Sequence, residues 1–174
     1  MTRFNSMMTA CFMIMVLCLP ATADMNLFQK EVETEKIAVK LVRDVAKGNY
    51  GLVTTDELKH LMDAKTDMVI VDTMPYEGSY KANHVPGAVQ FLFPIPDMDT
   101  FGSKETDGKT QADFEKLLGP DKNKLIVVYC GFVKCTRSHN GAVWAKKLGY
   151  TNVKRYCGGI YAWKGAGFAV EEVK

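Results

Sequence analysis

The stretch from Leu125 to Gly149, LIVVYCGFVKCTRSHNGAVWAKKLG, leaves little freedom in how this chain can fold. Leu125 to Tyr129 is an apolar run rich in β-branched residues, long enough for a buried strand and too short for a helix. From Ser138 the spacing turns helical, with Ala142, Val143, Ala145 and Leu148 on one face and Lys146 and Lys147 on another. Gly149 is the expected stop. A strand that runs straight into a helix sets Cys130 and its loop at the helix N-terminus, where free N–H groups and the dipole favour an anion.

That placement carries chemistry. A free thiol has a pKa of about 8.5, and its thiolate is the nucleophile. Half-ionising Cys130 at neutral pH requires roughly 2 kcal/mol. A helix terminus supplies ~0.3–1 kcal/mol, rising to ~2 when partly buried. Arg137 and Lys134, both in the loop, are expected to supply the remainder. The loop therefore reads as a cradle for a thiolate and an oxyanion. The competing reading is a small apolar cysteine that merely ends a core strand.

The 174 residues suit a single domain of ordinary globular composition, with 47% apolar and 24% charged residues. Residues 1–23 read as a secretory signal. Arg3 gives a positive start, Met7 to Leu19 an apolar core, and Ala21-Thr22-Ala23 a cleavage site before Asp24. The expected location is outside the cytoplasm, in a bacterial periplasm, with no stable membrane insertion once residues 1–23 are removed. Their removal takes the formal charge from +2 to +1, which argues against a nucleic-acid or lipid-surface binder. Of the five cysteines, Cys11 and Cys18 leave with the signal, and Cys130, Cys135 and Cys157 stay. Three cysteines do not build a disulfide framework; they point to a thiol site.

From Asn26 to about Lys47 the spacing predicts a helix, with Ile37, Leu41 and Val45, and again Ala38 and Val42, recurring every four residues. It is expected to pack on the domain or to contact a partner or a second copy. Gly51 to Val53 is a strand candidate, and Thr54 with Glu57 a capping box that opens a helix to about Ala64. Met68 to Val71 is a buried strand with Asp72 at its carboxyl end. His84-Val-Pro-Gly-Ala88 turns the chain into a strand from Val89 to Leu92, and Phe93 to Gly108 is a loop. Thr110 to Leu118 is a capped helix, Asn152 to Tyr156 a last strand, and Ile160 to Lys164 a short helix. This alternation implies an α/β domain with a mainly parallel sheet covered on both faces, with ligands at the carboxyl ends of the strands.

These stretches together resemble the rhodanese-like sulfurtransferase domain, and more narrowly an exported, single-domain type with a paired-cysteine loop. The carriers are Val69-Ile-Val-Asp72, Tyr80-Lys-Ala-Asn-His-Val-Pro-Gly-Ala88, Ile126-Val-Val-Tyr-Cys130 with Arg137-Ser138, Leu148-Gly-Tyr-Thr-Asn-Val153, and Gly158-Gly-Ile-Tyr-Ala-Trp163. The chain then divides into a signal at 1–23, a helical extension at 24–49 and, by the resemblance, the domain at 50–174. It implies a five-stranded sheet between helices, Cys130 as nucleophile, and a substrate cradle of Gly131, Phe132, Val133, Lys134, Thr136, Arg137 and Ser138. Asp72 and His84 would support that cradle. By similarity, Cys130 takes the sulfane sulfur of thiosulfate or a like anion as a persulfide and yields it to cyanide or a thiol, with no cofactor. Six residues separate Cys130 from Arg137, more than is usual in the family, and Met74 stands where the family often has arginine. Cys135 inside the loop is the alternative or resolving thiol.

Two other function classes stay open: an anion-processing enzyme of the phosphatase or arsenate-reductase type, motivated by the long loop, and a non-catalytic sulfur carrier or thiol-redox binding module. Cys130, Cys135, His139 and Cys157 nominally make a zinc set, but their spacing fits no usual ligand pattern, and no metal is expected.

Overall fold

The structure, a computed structural model, describes residues 26–173. The signal expected at 1–23 lies outside the described residues. Asn26 opens helix α1 (Leu27–Gly48) by a capping box with Gln29, accepting that residue's N–H at 2.9 Å. Strand β1 (Gly51–Val53) and helix α2 (Thr55–Asp63) follow, the latter capped by Thr54 and Glu57 as the sequence predicts. Strand β2 (Met68–Asp72) leads through one π-helical turn at Tyr76–Tyr80 to strand β3 (Val89–Gln90). Helix α3 (Gln111–Leu118) opens on a Thr110–Asp113 box. Strand β4 (Leu125–Tyr129), helix α4 (Arg137–Lys147), strand β5 (Val153–Tyr156) and helix α5 (Gly159–Gly165) complete the order.

The five strands form one parallel sheet in the order β1-β5-β4-β2-β3. Its central strand β4 is buried along its whole length. Alternation sends Ile126 and Val128 into a core with Phe91, Phe93, Phe114, Ala142 and Trp144. Leu125, Val127 and Tyr129 enter a second core with Leu58, Ile160 and Trp163. Helices on both faces thus require the near-continuous apolar run seen in the sequence.

Three features differ from the expected elements. β3 ends at Gln90 rather than Leu92, because its partner β2 ends at Asp72, although the N–H of Phe91 still reaches the Asp72 carbonyl at 2.9 Å. The 93–108 loop contains a 3₁₀ turn at Ser103–Thr106 and is pinned to α4: Asn140 Nδ2 donates to the carbonyls of Pro94 and Pro96, each at 2.8 Å. The two apolar series of α1 separate. Ile37, Leu41 and Val45 are half-buried against the domain, whereas Ala38 and Val42 remain exposed, together with Phe28, Val32 and Val39. α1 is tied down by ion pairs from Lys47 to Asp97 at 2.9 Å and from Arg155 to Asp44 at 3.7 Å. Among the described residues, no helix is long and apolar enough to cross a membrane.

Candidate active site

β4 delivers Cys130 to the carboxyl edge of the sheet, and the 131–136 loop returns the chain to the start of α4. Thr136, the residue before that helix, makes no side-chain cap. Cys130 Sγ lies beside this uncapped helix start, 3.1 Å from Ser138 Oγ, and the backbone amides of Ser138, at Cys130, and of Arg137 and Gly131, at Cys135, favour the anionic form of each thiol.

The two sulfurs are not equivalent. Cys130 is 1% exposed and Cys135 9%. Cys130 Sγ donates to the Cys135 carbonyl at 3.2 Å and lies 3.1 Å from Ser138 Oγ. A proton on the Cys130 thiol has that carbonyl as its acceptor. Burial pushes that thiol well above its ordinary pKa, with the adjoining Cys135 adding to the rise. Cys135 moves the other way. The neighbouring Cys130 thiol lowers it most, and the Arg137 and Gly131 amides and the Arg137 charge act in the same direction. The anion-favouring field read from the sequence is present, and at Cys135 it acts in the lowering direction. For Cys130, burial outweighs the helix terminus.

The cradle residues divide by role. Val133 and Cys135 turn their carbonyls inward onto Arg155, whose Nη2 donates to them at 3.1 and 2.7 Å, while its Nε donates to Ser138 Oγ at 2.8 Å. Arg137 Nη1 donates to the Phe93 carbonyl and Thr136 Oγ1 to that of Ile95, so both clamp the neighbouring loop. Lys134 is 59% exposed and pairs with Glu33 at 3.8 Å. Phe132 is exposed, with its ring 5.4 Å from that of Tyr161. The far rim is sewn to α5, since the Cys130 and Gly131 carbonyls accept the N–H groups of Ile160 and Tyr161, each at 3.0 Å. Gly159 permits this approach: it sits at φ +61°, and a Cβ there would meet the Cys130 carbonyl.

Asp72 lies beside Tyr129 on the adjacent strand, fully buried. One carboxylate oxygen accepts the Met74 N–H at 2.8 Å, the other has no partner, and burial pushes the pKa up to about 6. His84 is held in its turn: Nδ1 donates to the Tyr80 carbonyl at 2.8 Å, and the ring stacks on Tyr80 with centroids 4.0 Å apart. Cys157 is half-buried past the end of β5, and Cys130, Cys135 and Cys157 are all free thiols. No group of His, Cys, Asp and Glu among the described residues could hold a metal ion.

Arg155 is the residue that sequence reasoning missed. It is 1% exposed, and its charge serves the loop carbonyls, Ser138 and Asp44. The available signal was parity: in β5 it shares the face of Val153, which enters the core with Ile126 and Val128. A cation on that face needs partners, and the loop beyond the strand supplies them.

The family model of the rhodanese-like domain matches residues 54–166. A sulfur carrier protein of Thermus thermophilus, TtuD, is 31% identical over 121 residues, covering 68% of this chain and 40% of the relative. The chain thus spans less than half the length of that relative. Among solved structures, a thiosulfate sulfurtransferase of Pseudomonas aeruginosa superposes with a TM-score of 0.57 at 22% identity, over 79% of this chain and 23% of its own. A 3-mercaptopyruvate sulfotransferase of Escherichia coli superposes with a TM-score of 0.50 at 22% identity, covering 71% and 52%. At these identities the structural matches speak for the fold.

Proposed function

Given that the chain belongs to the rhodanese-like domain family, we propose that it is a sulfurtransferase. A thiolate of the 130–138 loop takes the sulfane sulfur of a small anionic donor, holds it as a persulfide, and yields it to a thiol or, in an assay, to cyanide. Thiosulfate is the simplest such donor. The attack forms a sulfur–sulfur bond to the cysteine, and sulfite leaves with the electron pair of the bond that breaks. The observation that carries this reading is the pair of free thiols in the loop at the uncapped N-terminus of α4, with Cys130 Sγ 3.1 Å from Ser138 Oγ and the Gly131, Arg137 and Ser138 amides favouring a negative charge on sulfur. Such donors stabilise the negative charge of a persulfide without reorganising. The 31% identity to a sulfur carrier protein supports the same class of chemistry.

The test is sulfite release from thiosulfate, and thiocyanate formation when cyanide is added. Both should be lost when Cys130 and Cys135 are replaced together by serine. Undiminished thiocyanate from the double variant would refute the reading. Hydrolysis of an aryl phosphate without sulfur uptake would replace it by the phosphatase-type alternative. The activity is placed in the periplasm on the strength of Met7 to Leu19 and Ala21-Thr22-Ala23. An N-terminus at Asp24 in protein recovered from a periplasmic extract is the expected result.

A further inference from the structure

We propose that the cavity between α1 and the 131–136 loop is a binding site for a small organic anion, a carboxylate on a short apolar body, with the Arg155 guanidinium as its charged partner. The site does not depend on the sulfur-transfer reading, and its test reads binding rather than turnover.

One wall of the cavity is a face of α1, where Glu33, Ile37, Leu41 and Asp44 recur at helical spacing with Lys36 and Lys40 beside them. The other wall is Val133, Lys134 and Thr136 of the loop, with Arg155 from β5. α1 lies outside residues 54–166 matched by the family model, so half of this site is an addition to the domain. The cavity holds about 220 Å³. An engineered apolar cavity of about 150 Å³ takes up benzene, so this one has room for about nine non-hydrogen atoms, the size of benzoate.

Arg155 decides what those atoms should carry. Its Nε donates to Ser138 Oγ, and its Nη2 to the Val133 and Cys135 carbonyls. Among the described residues Nη1 makes no hydrogen bond: Asp44 Oδ2 stands 3.7 Å away and is itself held by Lys40 at 2.6 Å. A guanidinium only 1% exposed is thus left with donors unmatched beside a cavity it lines. A carboxylate oxygen is the acceptor that suits them best, because the bond is charge-assisted. The surrounding charge agrees. Lys36, Lys40, Lys134 and Arg155 stand against Glu33 and Asp44, an excess of two positive charges. Ile37, Leu41 and Val133 add apolar surface that an inorganic anion would leave uncovered, so the ligand needs a hydrocarbon body as well as its charge. Val133 and Arg155 also belong to the cluster that holds the Cys135 carbonyl, so an occupant here is coupled to the thiol loop.

The test titrates isotope-labelled full-length protein with benzoate and follows backbone amide signals by NMR. Saturable shifts should appear in residues 37–44 and 131–137 together, fitting one dissociation constant on the order of 1 mM, within what a ligand of this size can supply. Benzamide keeps the shape without the charge and should bind at least about tenfold more weakly. Sulfate keeps the charge without the apolar body and should also bind at least about tenfold more weakly. Leu41→Trp fills the cavity and should abolish the shifts, whereas Lys134→Gln should weaken binding about threefold. Shifts that rise linearly without saturation, or that fall outside the two segments, overturn the site. Equal binding of benzamide overturns the role of the guanidinium, and undiminished binding by a folded Leu41→Trp places the ligand elsewhere. If Leu41→Trp does not fold, Lys134→Gln and the benzamide comparison decide in the same sense. Thiocyanate formation is measured separately, so a protein that transfers sulfur but ignores benzoate refutes this site alone, and one that binds benzoate without transferring sulfur refutes only the sulfurtransferase reading.

Discussion

Arg155 offers the sharpest quantitative check on how the loop is held. Arg155→Met keeps the volume and the apolar stem but removes every donor. Three hydrogen bonds are lost, to Val133, Cys135 and Ser138, and the 3.7 Å pair with Asp44 goes with them. Hydrogen bonds to a charged group are each worth about 1.5–3 kcal/mol. Against their sum stands the cost of keeping a guanidinium 1% exposed, itself several kcal/mol, which the substitution removes. A cavity of about 220 Å³ between α1 and the loop is lined by Arg155 and Val133 and lets water reach part of what is orphaned. The balance is a loss of about 3 kcal/mol, a large fraction of the 5–15 kcal/mol that stabilises a typical domain. Urea unfolding should show a lower midpoint at unchanged slope. Arg155→Lys, which keeps the charge but not the fork, should lose roughly half as much. Asp44→Ala should lose less than about 1 kcal/mol, because Asp44 contacts the guanidinium only at long range. A merely structural role would stop there; a positioning role also slows alkylation of Cys135 in the folded protein, because the Cys135 carbonyl is no longer fixed. If Arg155→Met unfolds within about 0.5 kcal/mol of wild type and alkylates at the same rate, the account of the loop is wrong.

Further outcomes follow from neighbouring groups. Asp72 has a folded pKa of about 6 against an ordinary 3.8, so the folded chain holds that proton more tightly than the unfolded one. The stability it contributes is full below about 3.8 and is lost as pH rises through about 6, a change on the order of 3 kcal/mol. Asp72→Asn should flatten that part of the urea-midpoint profile between pH 4 and 7, and parallel profiles would refute the assignment. Gly159→Ala should destabilise by more than about 2 kcal/mol, because the added carbon meets the Cys130 and Gly131 backbone at a left-handed φ of +61°. Asn140→Ala leaves the Pro94 and Pro96 carbonyls without their donor and should cost about 1–3 kcal/mol. Proteolysis should then open the 93–98 segment before the core, and cleavage no faster than in wild type would count against it.

What the sequence conveys well is what neighbours in the chain decide. The buried run Leu125–Tyr129, the Thr54–Glu57 and Thr110–Asp113 boxes and the stop near Gly149 depend on residues within a few positions of one another. Other features depend on contacts between distant segments and leave only faint local signs. The split of α1's apolar positions is set by which face meets the domain. The shortening of β3 reflects where β2 stops, and the order in the 93–98 loop comes from Asn140, more than forty residues on. Arg155 belongs with these, since four of its partners lie in other elements.

The inversion between the two loop thiols shows the same limit in energetic terms. A helix terminus lowers a thiol's pKa by an amount that sequence order does reveal, ~0.3–1 kcal/mol and up to ~2. Desolvation can act in the opposite direction by several times as much, and it depends on packing that sequence order does not reveal. Cys130 immediately follows a fully buried strand, and the N–H of Ile160 reaches its carbonyl from α5; the cover that produces this burial comes from the loop, α4 and α5. Cys135, five residues later, has left the sheet and meets the same helix terminus with more access to solvent. One helix terminus can therefore be outweighed by burial at a strand-end cysteine and prevail at a second cysteine in the loop.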